Sequence, residues 1–157
     1  MRAGACSFLL ALGGIISPAF GADELGQKIF KERCVLCHQE DAHGAAGVAP
    51  SLVGTLGPYL VSAEGKRYLA QILVSGMIGP IDTEGRKFSG LMPSFRADLS
   101  DAEIAATVNY VLGTYNGVSD ADATKPIAPE AVAAASATNP IATSTRALRQ
   151  SLGVPPP

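Results

Sequence analysis

The residues with the most chemistry in this chain lie within five positions, Cys34-Val35-Leu36-Cys37-His38. Two thiols three residues apart sit about one helical turn from each other, and the imidazole follows at once. That spacing lets both sulfurs add to the two vinyl groups of one macrocycle while the next side chain binds its iron, so CVLCH reads as a haem c attachment sequence. Two other chemistries use the same residue types. A redox-active dithiol needs a strand and a βα pattern before the cysteines, and Asp23 to Arg33 instead shows helical spacing at Leu25, Ile29 and Phe30 with acidic residues in its first turn. A zinc site built from Cys34, Cys37 and His43 lacks a fourth ligand.

An iron held by His38 has a second axial position, for which the chain offers Met77, Met92, His43 and, less suitably, lysines. His43 is five residues beyond His38 in a Gly/Ala stretch, a poor place from which to reach the far face of the ring, and reads as a solvated loop histidine. Met77 follows Gly76 at the end of a helical pattern containing Tyr68, Leu69, Ile72 and Leu73, where a methionine usually fills core or loop space. Met92 lies in Gly90-Leu91-Met92-Pro93-Ser94-Phe95, a proline-stiffened loop that can present a thioether without burying an unpaired polar group.

With these landmarks the stretch 22–117 resembles a class I cytochrome c, in which an N-terminal helix leads to CxxCH and a methionine loop precedes a C-terminal helix. Gly26 and Phe30 match the glycine and aromatic through which the first helix packs on the last in that family, and Tyr110 matches the aromatic of the last helix. Ala49-Pro50-Ser51-Leu52 is similar to the segment whose proline flanks the proximal histidine, and Met92-Pro93 to the segment bearing the sixth ligand. The resemblance implies an all-α fold with terminal helices crossing around one covalent haem c, held by Cys34 and Cys37 and ligated by His38 and Met92. It also implies an electron carrier rather than an enzyme, working with redox partners such as a dehydrogenase, another cytochrome or a terminal oxidase. The reading from a different class is a ligand-binding or sensory haem protein whose distal position opens.

The elements that must position these groups are legible in part. Ser100-Asp101-Ala102-Glu103 is a capping box, after which Ile104, Val108, Val111 and Leu112 keep one apolar face and Gly113 and Gly117 supply stops. Lys66 to Ser75 reads as a further helix, and Ile81 to Phe88 as a small hairpin about Glu84-Gly85. Fewer than about one hundred residues fold here, so a buried porphyrin would supply much of the core.

The ends of the chain have their own character. Arg2, the uncharged apolar stretch Phe8 to Ile16 and the small residues around Ala19-Phe20-Gly21 form a signal peptide pattern, with cleavage expected near Gly21 and a periplasmic destination. The stretch is too short to cross a bilayer comfortably, so no membrane span is expected in the mature chain. Cys6 would leave with it. Residues 118–157 are rich in Ala, Ser, Thr and Pro, with short helices expected from Pro129-Glu130 and around Arg146 to Leu152. That composition argues for a mobile tail; the competing expectation is a strap that docks on the domain or on a partner subunit. Across all 157 residues the formal charge is -2, which argues against nucleic acid or an anionic membrane surface as a main partner because both select a basic excess.

Overall fold

A computed structural model describes residues 21–119 and 127–154. The signal peptide reading falls on residues outside this set. Among the described residues no helix is long and apolar enough to cross a membrane.

The architecture is mostly helical, with one antiparallel hairpin. Helix α1 (Ala22–Ile29) runs through a wider π-type turn (Phe30–Cys34) into the short α2 (Val35–His38). A 3₁₀ turn (Gly57–Val61) leads to α3 (Ala63–Ser75), whose cap is Ser62, its hydroxyl accepting from Gly65 N at 3.0 Å. The hairpin strands are β1 (Met77–Thr83) and β2 (Arg86–Met92), and α4 (Asp101–Asn116) follows. The capping box on α4 is formed: Glu103 N donates to Ser100 Oγ at 3.3 Å, and Ser100 N donates back to the Glu103 carboxylate at 2.8 Å. Of the two expected stops, Gly113 is passed through and Gly117 ends the helix, in the left-handed region at φ 65°.

α1 crosses α4 at a contact only glycine permits. A Cβ on Gly26 would strike the carbonyl of Ala106 and the Cβ of Tyr110. Next to that crossing Phe30, Tyr110 and Tyr115 form an aromatic cluster, with ring centroids 5.5 to 5.9 Å apart. The second and larger core gathers Tyr59, Tyr68, Leu69, Leu73 and Val74 against Ile104, Val108 and Leu112. Burial of α3 and α4 on this shared core leaves the hairpin to close one side.

The hairpin is longer than its sequence suggests. Glu84 (φ 50°) and Gly85 (φ 66°) make the turn, both in the left-handed region that a two-residue hairpin loop needs. Pairing then runs outward from Thr83↔Arg86 to Met77↔Met92. The expected limits of Ile81 and Phe88 are therefore too narrow. Gly79, Pro80, Ser89 and Gly90 weaken strand propensity in the outer half, and the ladder forms there because Met77, Ile81 and Phe88 are buried on the core.

Residues 127–154 are packed on the domain, which corrects the mobile-tail expectation for them and agrees with the competing one of a docked strap. Helix α5 (Pro129–Ala137) lies against α3 and α4, and α6 (Ala142–Ser151) against α3 and β1. Val132 and Thr145 have no exposed surface, and Ile127 and Ala135 almost none. Asn109 on α4 anchors the segment by a two-way pair, donating to Ile127 O at 2.9 Å and accepting from Ile127 N at 2.7 Å. Small side chains explain why composition misled: alanines bring helices close without producing a strong apolar stripe, so most of the burial is invisible in hydropathy.

Candidate functional site

His38 closes α2, and the chain reverses immediately afterwards. Gln39 (φ 64°) and Ala42 (φ 59°) adopt left-handed backbone, and Gly44 N donates to His38 O at 2.9 Å. At Gly44 a Cβ would collide with the carbonyls of Ala49 and Pro50, so glycine lets the returning loop press against the histidine. Tyr115 and Asn116 on α4 brace that loop: Tyr115 Oη donates to Glu40 O at 2.9 Å, and Asn116 Nδ2 donates to Leu52 O at 3.0 Å.

The result is a defined imidazole. His38 is buried, and its Nδ1 donates to Pro50 O at 3.0 Å, since a carbonyl can only accept. The proton is thereby placed on Nδ1 and the Nε2 lone pair is free. Burial pushes the imidazole below its usual titration range, against a smaller opposing effect of the Pro50 bond, so the ring is neutral at neutral pH and able to bind a metal.

Beside it lies a cavity of about 320 Å³, lined by His38, Cys34, Cys37, Met77, Met92 and a mainly apolar wall that includes Leu69, Leu73, Phe95 and Val108. Both cysteines are partly exposed free thiols. Burial, helped by the neighbouring Cys37, pushes the Cys34 thiol up to about 11. A redox-active dithiol needs the opposite shift, toward the thiolate, so this environment disfavours that chemistry. His43 is exposed and outside the cavity lining, as a solvated loop histidine should be.

The methionines are where the structure departs from the sequence picture. Met77 fills core space, one of the two expectations for it, but from a strand, and Met92 is not in a free loop: they are directly opposed partners at the open end of the hairpin. Both line the cavity. Met77 is 8% exposed and belongs to the core, whereas Met92 is half-buried and precedes Pro93 at the strand's end. Ser94 Oγ donates to Val74 O at 2.6 Å and Phe95 N donates to Leu73 O at 2.8 Å, fastening the segment after Met92 onto α3.

A sequence model of the cytochrome c family matches residues 24–114, more than half of the chain and all of the elements that build this cavity from α1 to α4. The chain belongs to the cytochrome c family. Over 126 residues it is 35% identical to a cytochrome c-552 of Thermus thermophilus, an alignment spanning 80% of each chain. A second Thermus thermophilus cytochrome c-552 is 36% identical over 107 residues, 68% of this chain and 80% of that one. The cytochrome c subunit of the quinone-dependent alcohol dehydrogenase of Gluconobacter oxydans is 26% identical over 91 residues, 58% of this chain but 18% of that subunit.

A cytochrome c binds haem covalently, and the donor set in this cytochrome fits one: two thiols on the cavity wall, a neutral imidazole with a free Nε2, soft thioethers and apolar walls. Three lining residues escaped sequence reasoning. Arg149 lies far along the chain from Tyr59 and Tyr68, none of the three carries a motif, and only the packing of α3 and α6 around the cavity brings them together.

Proposed function

We propose that this cytochrome carries a single haem, joined to Cys34 and Cys37 and ligated by His38 and Met92, and that it passes single electrons between larger redox proteins without being an enzyme itself. The observation that carries this reading is the Nδ1 bond of His38 to Pro50, which leaves Nε2 free beside a cavity rimmed by the two thiols. The haem supplies the one-electron iron couple. Pro50 holds the His38 ring so that it keeps one orientation whatever the charge beyond it. Met92 is preferred to Met77 because it is the less deeply packed of the pair and stands where Pro93 and the Ser94 bond stiffen the backbone. A thioether there favours the reduced metal over what a second imidazole would, and the apolar lining excludes water and with it charge.

Contact with partners is assigned to the cavity mouth. Leu36, Val48 and Leu91 line the cavity and are 86%, 59% and 66% exposed, an apolar rim at which a partner's cofactor can approach. A dehydrogenase is one suitable donor class, in keeping with the relative that is a dehydrogenase subunit. Export to the periplasm, with cleavage near Gly21, would place the chain where covalent haem attachment and such partners meet.

The test is mass spectrometry of protein made alongside a cytochrome maturation system. One haem resistant to acid extraction is expected, and extractable haem would remove the covalent assignment. Exposure of the ferrous protein to carbon monoxide checks the carrier reading: an unchanged spectrum is expected, and ready binding would favour a sensor with an opening distal position.

A further inference from the structure

Two residues lining the cavity, Arg149 and Val154, come from outside the segment shared with the family, and Arg149 is the polar one. The family match ends at 114, yet Arg149 on α6 is part of the wall. Its Nη2 donates to the backbone carbonyl of Asp82 on β1 at 2.9 Å, and the same guanidinium stands against the hydroxyls of Tyr59 and Tyr68. Both tyrosines are nearly fully buried, their rings 4.7 Å apart and tilted by 43°, and both line the cavity.

Three donors thus converge on one wall of an apolar chamber. A guanidinium has five N–H groups and no acceptor, so the Asp82 carbonyl and the two phenol oxygens leave part of its capacity for a further acceptor, and each phenol keeps its own O–H to donate. Its planar fork matches a carboxylate, and buried phenols gain by donating to the same oxygens. The charge of the chamber points the same way. Arg33 and Arg149 both line it, and among the described residues it has no aspartate or glutamate in its lining, in a chain whose formal charge is -2. An occupant with carboxylates at one edge satisfies this wall, and haem carries two propionates.

α6 is held firmly enough to present the group. Thr145 has no exposed surface and meets Ser75 Oγ at 2.6 Å, while its hydroxyl accepts from Gln71 Nε2 at 3.0 Å. Gly79 leaves the space on β1 that the Arg146 side chain occupies.

We propose that Arg149, together with Tyr59 and Tyr68, binds a propionate of the haem, making α6 a structural part of the cofactor site. The proposal rests on the haem reading above. The groups facing the propionate are Tyr59 from the 3₁₀ turn, Tyr68 from α3 and Arg149 from α6; Asp82 on β1 offers its carbonyl there and its side chain is exposed, and Arg33 lines the cavity from the π-type turn. A cation this close keeps a carboxylate ionised to lower pH, by about 1–3 pH units.

The test is the midpoint potential of the haem-loaded protein as a function of pH. An ionised propionate stabilises the more positive ferric state, so the potential falls with rising pH through the window in which the propionate loses its proton. Arg149→Gln should move that falling segment up by about one pH unit or more. Arg149→Lys, which keeps the charge but not the fork, should restore part of the position, and Tyr59→Phe should give a smaller shift in the same direction. If Arg149 serves only to tie α6 to β1, the glutamine variant will lose thermal stability with the segment in place, and the proposal fails. A uniform fall in potential with no movement along the pH axis also overturns it. Should Arg149→Gln yield no haem-loaded protein, Tyr59→Phe decides on the same criterion. A wild-type chain that attaches no haem would remove the haem reading itself, whereas attached haem with unmoved profiles in all the variants removes only this assignment.

Discussion

Substitution of the two opposed methionines should separate packing from ligation. Met77 is 8% exposed inside the larger core, so Met77→Ala deletes a well-buried side chain at a cost of about 2–5 kcal/mol. For a chain of this size each kcal/mol corresponds to roughly 4 °C, which puts the fall in Tm at about 8–20 °C. Met92 is only half-buried, and truncation there should cost roughly half as much in packing. The optical consequence runs the other way. The ferric absorption band that reports an iron–sulfur bond should survive in Met77→Ala and vanish in Met92→Ala, together with a lower midpoint potential. Because cavity formation at the hairpin's open end could disturb both strands, Met77→Leu and Met92→Leu provide the volume-conserving pair, each expected to cost under about 1.5 kcal/mol in packing. Absorption spectra of the four ferric proteins decide the matter. Loss of the band in Met77→Leu with its retention in Met92→Leu would refute the reasoning and move the ligand to the buried partner.

Three further outcomes are expected. Gly26→Ala should lower the denaturation midpoint: forcing α1 from α4 costs about 1–3 kcal/mol, more than the roughly 1 kcal/mol by which alanine favours a helix, and an unchanged midpoint would mean the crossing is not tight. Removing residues 124–157 should leave haem attached at Cys34 and Cys37 while lowering Tm, and Val132→Ala alone should cost about 2 kcal/mol, because its buried methyl groups face α3 and α4; loss of haem attachment would show that the segment is not separable. Neutralising Arg86 and Lys87, both exposed beside the hairpin turn, should slow electron transfer to an acidic partner at low salt and flatten its ionic-strength dependence, leaving the potential nearly unchanged; stopped-flow rates that do not change would leave docking to the apolar rim of Leu36, Val48 and Leu91.

Where a feature depends on neighbours in sequence, reading the chain succeeded. The capping box from Ser100 to Glu103, the turn at Glu84-Gly85 and the helices around residues 22–34, 66–75 and 101–116 all reflect bonds or φ requirements spanning a few residues. Gly26 and Phe30 were legible through the family resemblance, and the structure places them at the crossing of α1 and α4. The short helices from Pro129 and around Arg146 were legible too, but their packing and the hairpin's outer half were not, since weak strand formers and alanine-rich helices take their order from surfaces supplied elsewhere.

The sequence by itself carried the proposed attachment chemistry, because two thiols and an imidazole within five residues need only one helical turn to share a macrocycle. It also determined which helices could form, through caps and apolar spacing. Only the tertiary structure decided that Met77 faces Met92, that the Pro50 carbonyl accepts from His38 Nδ1 and so fixes its tautomer, and that Arg149 joins Tyr59 and Tyr68 at the cavity wall. Those relations join residues between a dozen and ninety positions apart, and such distances close only when the buried faces of α3, α4, the hairpin and α6 find one another.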